Sequence, residues 1–241
     1  MNRIDGRAAA ELRKIKITPN FQAFAEGSVL IEQGKTQVVC AVSLEDKVPP
    51  FLRGTGSGWI TAEYAMLPRS TTTRTQRDSV AGRIAGRSQE IQRLIGRSLR
   101  AVADLAALGE RSLIVDCDVL QADAGTRTAA ITGSYVALNI ALKKLVGIGI
   151  LKAVPLKSQV AAVSVIIQKG QILLDPSYDE DAVADADFNI VMTATGELVE
   201  VQGTAEKQPY SRSTLTAVLD LAESGLKTLF EAQKIVLDKL N

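Results

Sequence analysis

Residues 112–128 read SLIVDCDVLQADAGTRT, and this stretch decides how the first half of the chain folds. Alternating apolar residues predict a strand whose buried face carries Leu113, Val115, Cys117 and Val119. Gly125 predicts a turn, and a helix is predicted to follow to about residue 146, with an apolar stripe of Ile131, Tyr135, Leu138, Leu142 and Leu145. This order places free backbone amides beside Thr126 and Arg127, although the turn is neither a Walker loop nor a dinucleotide fingerprint. The turn is therefore a potential phosphate site, with an ordinary capped helix as the alternative.

Upstream of this stretch, the pattern predicts strands followed by one long helix. Two strands flank a turn at residues 33–35, and a third runs from Trp59 to Tyr64. Residues 67–80 are rich in Thr, Ser and Arg without apolar periodicity, which predicts a loop. The helix is predicted at about 88–108, with Arg93, Arg97 and Arg100 opposite its apolar stripe and Arg87 on the inward side at its start. An inward guanidinium needs an anionic partner.

Downstream, the order of strands and helices repeats. Strands are predicted at 160–168, 172–175, 187–194 and 198–202, and two C-terminal helices at about 213–222 and 226–240. Strands followed by helices, twice, predict an α+β fold with two related halves of mixed β-sheet packed with α-helices. We expect a single catalytic domain over 1–241, with pseudo-halves of about 1–150 and 151–241, although the two halves share no clear residue-level repeat.

Composition excludes several kinds of chemistry. The chain has 241 residues, 46% of them hydrophobic, and no apolar run long enough to cross a bilayer, so we expect no membrane partner. It contains no histidine, which excludes a Ser-His-Asp triad, a Cys-His pair and a His-ligated zinc site. Its two cysteines, Cys40 and Cys117, lie in apolar runs and are expected to be buried and unpaired. No signal peptide is recognisable at the N-terminus, and a cytoplasmic location is expected.

Charge is unevenly distributed along the chain. Residues 67–100 contain eight arginines against two acids, whereas residues 171–206 contain nine acids and no Lys or Arg. A helical turn between Asp181 and Asp187 would bring these two carboxylates together, a donor set that suits Mg²⁺. From spacing alone, a hydrophilic loop with incidental acids is the favoured alternative. Asp179, Glu180 and Asp185 are expected in solvent.

The available side chains favour an anionic nucleophile. Inorganic phosphate already carries charge at neutral pH, so its attack on a phosphodiester needs little help from a general base. The protein must instead hold two anions in line and neutralise the developing charge, which arginines, helix-end amides and a divalent cation can do.

Several ordered motifs resemble those of bacterial ribonuclease PH over nearly the whole chain, from about Arg3 to Leu237. They are RIDGR (3–7), AEGSVL (25–30), PFLRG (50–54), GWITAEYAMLPR (58–69), QEIQRLIGRSLR (89–100), DAGTRTAA (123–130) and VQGTAE (201–206). Gln37 and Ser88 depart from the pattern, where Lys and Thr are expected. Each fragment alone is weak, whereas the ordered set is specific for the family.

The resemblance implies a cytoplasmic tRNA nucleotidyltransferase, a phosphorolytic 3′-to-5′ exoribonuclease that trims the 3′ ends of tRNA precursors and releases nucleoside diphosphates. Phosphate would be bound by Arg87, Gly125, Thr126 and Arg127, and the catalytic and metal-binding pair would be Asp181 and Asp187, with Mg²⁺. RNA would be guided by arginines of the loop and of the outer face of the helix. The loop arginines are Arg69, Arg74 and Arg77, and those of the helix are Arg93 and Arg97. A homohexamer built as a trimer of dimers is also implied.

Two other functions compete with this one. An inactive ring subunit of the same fold would channel RNA, as in exosome cores, but should have lost a phosphate-binding arginine or an acidic residue. A phosphate-dependent polymerase would use the same site in the reverse direction, adding nucleotides from nucleoside diphosphates. A longer polynucleotide phosphorylase needs a second core and added domains, for which 241 residues leave no room.

Overall fold

The computed structural model describes residues 3–240, and its first half is built on a mixed five-stranded sheet. The strand next to one edge of this sheet, Ser112–Gln121, pairs antiparallel with one neighbour and parallel with the other, which confirms the expectation of a mixed sheet. The spatial order is β1-β2-β3-β5-β4, with β1 Ile15–Pro19, β2 Gly27–Gln33, β3 Thr36–Glu45, β4 Trp59–Met66 and β5 Ser112–Gln121. The predicted face of β5 is buried, and Cys117 lies opposite Cys40 with both thiols free.

The helices of this half differ from the prediction in two places. They are α1 Asp78–Ala81, α2 Gly86–Ala101, α3 Leu105–Leu108 and α4 Thr126–Gly147. The single helix predicted at 88–108 is wrong beyond Ala101, because Ala103 pairs with Leu156 and the side chain of Asp104 caps a new turn through the amide of Ala107. The segment predicted as a loop contains the single turn α1.

The second half carries a four-stranded antiparallel sheet of order β7-β6-β8-β9. Its elements are β6 Val160–Gln168, β7 Gln171–Leu174, α5 Tyr178–Asp181, β8 Ala186–Thr193, β9 Leu198–Ala205 and α6 Arg212–Asp238. The prediction of two C-terminal helices is wrong, because α6 is continuous through Gly225. A β-carbon on Gly225 would lie 2.8 Å from the Leu174 side chain, so this glycine allows close packing on β7 and does not end a helix.

Helix α4 joins the two halves. It is buried around most of its circumference, as expected for a helix that packs between two sheets, and it contacts β2 and β3 on one side and β6 on the other. The Ala162 amide of β6 donates to the Thr132 hydroxyl, and Gln233 of α6 donates to the carbonyls of Thr132 and Val160. The N-terminus of α4 therefore lies where the two sheets meet. Within residues 3–240, no helix is long and apolar enough to span a membrane.

Candidate active site

The turn into α4 leaves its first amides without a side-chain cap. Ala124 and Gly125 have φ values of +56° and +63°, the left-handed region that reverses the chain between β5 and α4. A β-carbon on Gly125 would also lie 3.0 Å from Nη2 of Arg13, so both conformation and space favour glycine. Within residues 3–240, no side chain accepts a hydrogen bond from the first-turn amides at this helix start, as expected when the capping position is glycine. The amides and the positive end of the helix dipole can face an anion.

Thr126, the first residue of α4, is positioned by a buried tyrosine that the sequence did not single out. The Tyr64 hydroxyl of β4 lies 2.8 Å from Oγ1 of Thr126, and the tyrosine ring is 2% exposed. Burial raises the pKa of Tyr64, so its hydroxyl remains protonated at neutral pH. Tyr64 thus fixes the hydroxyl that faces the turn, and the motif from Gly58 to Arg69 was the signal that could have revealed it.

The turn opens into a cavity of about 410 Å³, and both arginines predicted to bind phosphate lie in its wall together with Thr126 and Gly125. Nη1 of Arg127 donates to the Glu90 carboxylate at 3.1 Å and to Oε1 of Gln202 at 2.9 Å. Arg87, in the first turn of α2, donates no hydrogen bond within residues 3–240. Both arginines act electrostatically on Asp181 and Asp187.

The opposite wall of the cavity contains the predicted acidic pair. Asp181 ends α5, Asp187 lies near the start of β8, and the connecting turn brings both carboxylates to the cavity. The helical turn predicted between them instead leads up to Asp181. Burial and the charge of Asp187 raise the pKa of Asp181, while burial and the charge of Glu206 raise that of Asp187. Asp181 remains accessible through the open mouth of the cavity.

This donor set fits a hard divalent cation. Both carboxylates lie in one cavity, and the charge of Asp187 raises the pKa of Asp181. Mg²⁺ would neutralise this charge, because it takes oxygen ligands and keeps open positions for water or phosphate. Asp181 and Asp187 would hold it, with Glu206 in the same wall. A cluster of three or more potential metal ligands is not found within residues 3–240, so a closed all-protein cage is absent from that region.

Beneath the cavity lies a buried ionic cluster that the sequence did not predict. Arg13 donates through Nη2 to Asp175 at 2.6 Å and through Nη1 to the Asp123 carbonyl. Arg3 donates to Glu180 at 2.7 and 2.8 Å, and Glu180 is 3% exposed. The expectation that Glu180 lies in solvent is wrong, because its ion pair with Arg3 offsets the cost of burying the carboxylate.

The predicted RNA-binding arginines lie outside the cavity. Arg69, Arg74 and Arg77 are exposed on the segment between β4 and α1. Arg93 and Arg97 are exposed on α2, and Arg97 pairs with Glu200 of β9 at 2.9 Å. Arg100 differs, because its guanidinium stacks 4.2 Å over the Trp59 ring and donates to the Ile60 carbonyl.

On the expectation from the family resemblance that this turn binds phosphate, replacing Tyr64 with phenylalanine should raise the KM for phosphate about fivefold, the effect of losing one hydrogen bond of about 1 kcal/mol. The ring would still fill its buried position, so the fold should persist. Steady-state kinetics with varied phosphate would measure the change. Tyr135→Phe, a matched change at a buried tyrosine of α4 outside the cavity wall, should leave KM unaltered. Equal effects of both changes would contradict a local role for Tyr64.

Comparisons with known proteins match nearly the whole chain to one enzyme family. Two family models match: the 3′ exoribonuclease family, domain 1, over residues 11–144, and its domain 2 over residues 158–225. A protein of Dehalococcoides mccartyi named ribonuclease PH is 68% identical over 97% of each chain. A protein of the same name from Syntrophomonas wolfei is 56% identical over 98% of this chain and 99% of its own.

Solved structures show the same fold at greater sequence distance. Rice Rrp46 superposes with a TM-score of 0.79 at 19% identity, covering 98% of this chain and 100% of its own. A chain of the Archaeoglobus fulgidus exosome with RNA bound to the active site gives a TM-score of 0.79 at 24% identity, covering 100% and 93%. From the two family models and the near-full-length relatives, the chain belongs to the ribonuclease PH family of phosphorolytic 3′-to-5′ exoribonucleases.

Proposed function

We propose that the cavity at the start of α4 is where inorganic phosphate attacks the 3′-terminal phosphodiester of RNA. A single arrangement carries this proposal: an uncapped helix start and two arginines face two carboxylates across about 410 Å³. The phosphate would be bound by Arg87, Thr126, Arg127 and the amides that Gly125 exposes. Such a site favours an anion already charged at neutral pH, in a chain without histidine.

Residues on the two walls of the cavity would have different roles in the reaction. Arg87 and Arg127 would hold the phosphate oxygens and offset the repulsion between nucleophile and RNA. Asp181 and Asp187 would hold Mg²⁺, which when bound supplies positive charge beside the scissile phosphate. A phosphate oxygen bonds to the terminal phosphorus and the bond to the preceding 3′ oxygen breaks. That oxygen takes up the proton that the attacking hydrogen phosphate carried. The products are a nucleoside diphosphate and an RNA one nucleotide shorter; the reverse reaction extends the RNA.

The substrate proposed for this site is the 3′ end of a tRNA precursor, with rRNA ends as a related substrate. Exposed arginines on the segment before α1 and on α2 would contact the phosphate backbone of the RNA. These arginines are Arg69, Arg74, Arg77, Arg93 and Arg97. The names of the bacterial relatives and the RNA-bound exosome support RNA as the substrate class. A cytoplasmic location accompanies this role.

We propose that the chain works as one catalytic unit of two halves, about 1–150 and 151–241, assembled into a homohexamer. Contacts of α4 with both sheets, and a cavity walled by residues from both halves, support the single unit. The fold shared with exosome core chains supports ring assembly. The trimer of dimers is tested by native mass spectrometry, for which a mass six times that of one chain is expected.

The rival function is an RNA-channelling ring subunit without activity. It is disfavoured because the two phosphate-binding arginines and both aspartates line one cavity, where an inactive subunit would have lost at least one of them.

The decisive experiment supplies or withholds phosphate. Purified protein with a 3′-extended tRNA should shorten it only when phosphate and Mg²⁺ are both present, and chromatography should detect nucleoside diphosphates. Mg²⁺ without phosphate, and phosphate with a chelator, are the controls. Nucleoside monophosphates released in phosphate-free buffer would establish a hydrolase and overturn the proposal.

A further inference from the structure

Arg127 is held by a hydrogen-bonded set of polar side chains behind the cavity. Its Nη1 group donates to the Glu90 carboxylate oxygens at 3.1 and 3.3 Å and to Oε1 of Gln202 at 2.9 Å. Nε and Nη2 of the same guanidinium donate no hydrogen bond within residues 3–240. The outer edge of the fork is therefore available, and Nε with Nη2 is a pair that can bind two phosphate oxygens at once.

The orientation of the Gln202 amide is fixed by its neighbours. Its Nε2 donates to Glu90 at 2.9 Å and to Glu200 at 3.2 Å. An amide nitrogen between two carboxylates cannot exchange places with its oxygen without facing acceptor against acceptor, so Oε1 must point to Arg127. Glu200 is in turn paired with Arg97 at 2.9 Å. The set thus extends from β9 to the outer face of α2.

Three elements meet in this set: α2 contributes Glu90, β9 contributes Gln202, and α4 contributes Arg127. An arginine side chain has several rotatable bonds and loses considerable entropy when it is fixed. Holding it by one nitrogen before substrate arrives lowers the cost of binding a planar, bidentate ligand. Arg127 is also little exposed, with 17% of its side chain accessible, whereas the Glu90 side chain is 46% accessible and not needed for the core.

We propose that Glu90 and Gln202 are positioning residues that hold the Arg127 guanidinium by Nη1, so that its Nε and Nη2 edge faces inorganic phosphate. This inference rests on the proposed function, which makes Arg127 a phosphate-binding residue. Neither Glu90 nor Gln202 needs to touch the phosphate. Their effect passes through Arg127 alone.

The test compares Glu90→Ala with Glu90→Gln. Glu90→Ala should raise the KM for phosphate about tenfold, as expected when a hydrogen bond to a charged group is lost, and leave the KM for RNA and kcat within about twofold. Glu90→Gln should restore the KM for phosphate to within about twofold of the parent, because its amide oxygen can still accept from Nη1. Glu223→Ala, which removes a carboxylate paired with Lys227 on α6, is the charge-matched control and should change nothing. If Glu90→Gln were as impaired as Glu90→Ala, charge rather than positioning would be responsible, and the inference would be overturned.

A double-mutant cycle separates this inference from the proposed function. Calorimetry with inorganic phosphate should show about hundredfold weaker binding for Arg127→Ala, which loses a bidentate charged contact. Adding Glu90→Ala to that variant should cause no further loss, because the side chain it positions is gone. A further tenfold loss in the double variant would show that Glu90 acts elsewhere. Unaltered phosphate binding in Arg127→Ala would instead overturn the phosphate site itself.

Discussion

Asp187→Asn is expected to lower kcat about a thousandfold at saturating phosphate and RNA, in the range observed when a group that stabilises transition-state charge is removed. The asparagine keeps the shape of the side chain and one accepting oxygen, so β8 and its packing should persist. What is lost is one of two carboxylates that face Arg87 and Arg127 across the cavity. Because the phosphate wall remains complete, the KM for phosphate should change much less than kcat.

The control for this variant lies two residues earlier on the chain. The carboxylate of Asp185 accepts from the Lys169 amide at 2.6 Å and pairs with Lys207. Asp185 does not line the cavity, so Asp185→Asn should keep kcat within about twofold of the parent. Stopped-time assays of nucleoside diphosphate release would measure both variants. A similar, mild loss of kcat in Asp187→Asn and Asp185→Asn would show that turnover does not depend on the negative charge of the acidic wall.

The same carboxylates impose a pH dependence with a definite sign. Burial and like charge raise the pKa of Asp181 and of Asp187 in the folded protein. When the pKa of a carboxyl is higher in the folded than in the unfolded protein, protonation favours the folded state. The free energy of unfolding therefore falls as pH rises through the unfolded-state pKa and then the folded-state pKa. In the metal-free protein at neutral pH, Asp187→Asn should therefore raise Tm while it removes activity. Opposite effects on stability and activity are expected at a site whose charged groups are needed for activity but destabilise the folded protein.

Local patterns predicted most of the strands and the start of α4. The alternation in β5 requires one buried face, and Gly125 marks the turn because few other residues adopt a positive φ there. Those two facts place Thr126 and Arg127 at a helix start whatever the rest of the chain does. The acidic pair depended on the family resemblance, because spacing alone cannot distinguish a turn that converges from a loop in solvent.

The incorrect predictions share a physical cause. In each case a contact between residues far apart in the sequence determined which local structure forms. Gly225 favours a break in an isolated helix, but close packing on Leu174 keeps α6 continuous. Glu180 favours solvent until Arg3, 177 residues away in sequence, neutralises it. The role of Tyr64 is not predictable from local sequence for the same reason, because its partner Thr126 is brought to it only by the parallel pairing of β4 with β5. No local window contains both members of such a pair.

Arg13→Met is expected to lower the free energy of unfolding by about 3–5 kcal/mol, the cost of removing one partner from a buried ion pair. The Arg13 side chain is 5% exposed and that of Asp175 is 1% exposed, so Asp175 would remain buried without its nearer charged partner, with only Arg7 left at 3.9 Å within residues 3–240. Urea unfolding followed by circular dichroism would measure the loss. Lys16→Met on β1, whose side chain is 66% exposed and pairs with Glu32, is the surface control and should cost less than about 1 kcal/mol.

The Arg13 variant should also impair catalysis, because the arginine holds both walls of the cavity. Its guanidinium donates to the Asp123 carbonyl before the phosphate-binding turn and to Asp175 before α5, while the Asp123 carboxylate accepts from the Tyr178 amide at the start of α5. Adding Asp175→Asn should recover part of the stability, since it removes a buried charge that has lost its nearer partner. It should not recover the activity, since the link between the walls stays broken. If stability and activity recovered together, Arg13 would serve the fold alone. If stability recovered without activity, one buried arginine would contribute both to folding and to the alignment of phosphate and carboxylates.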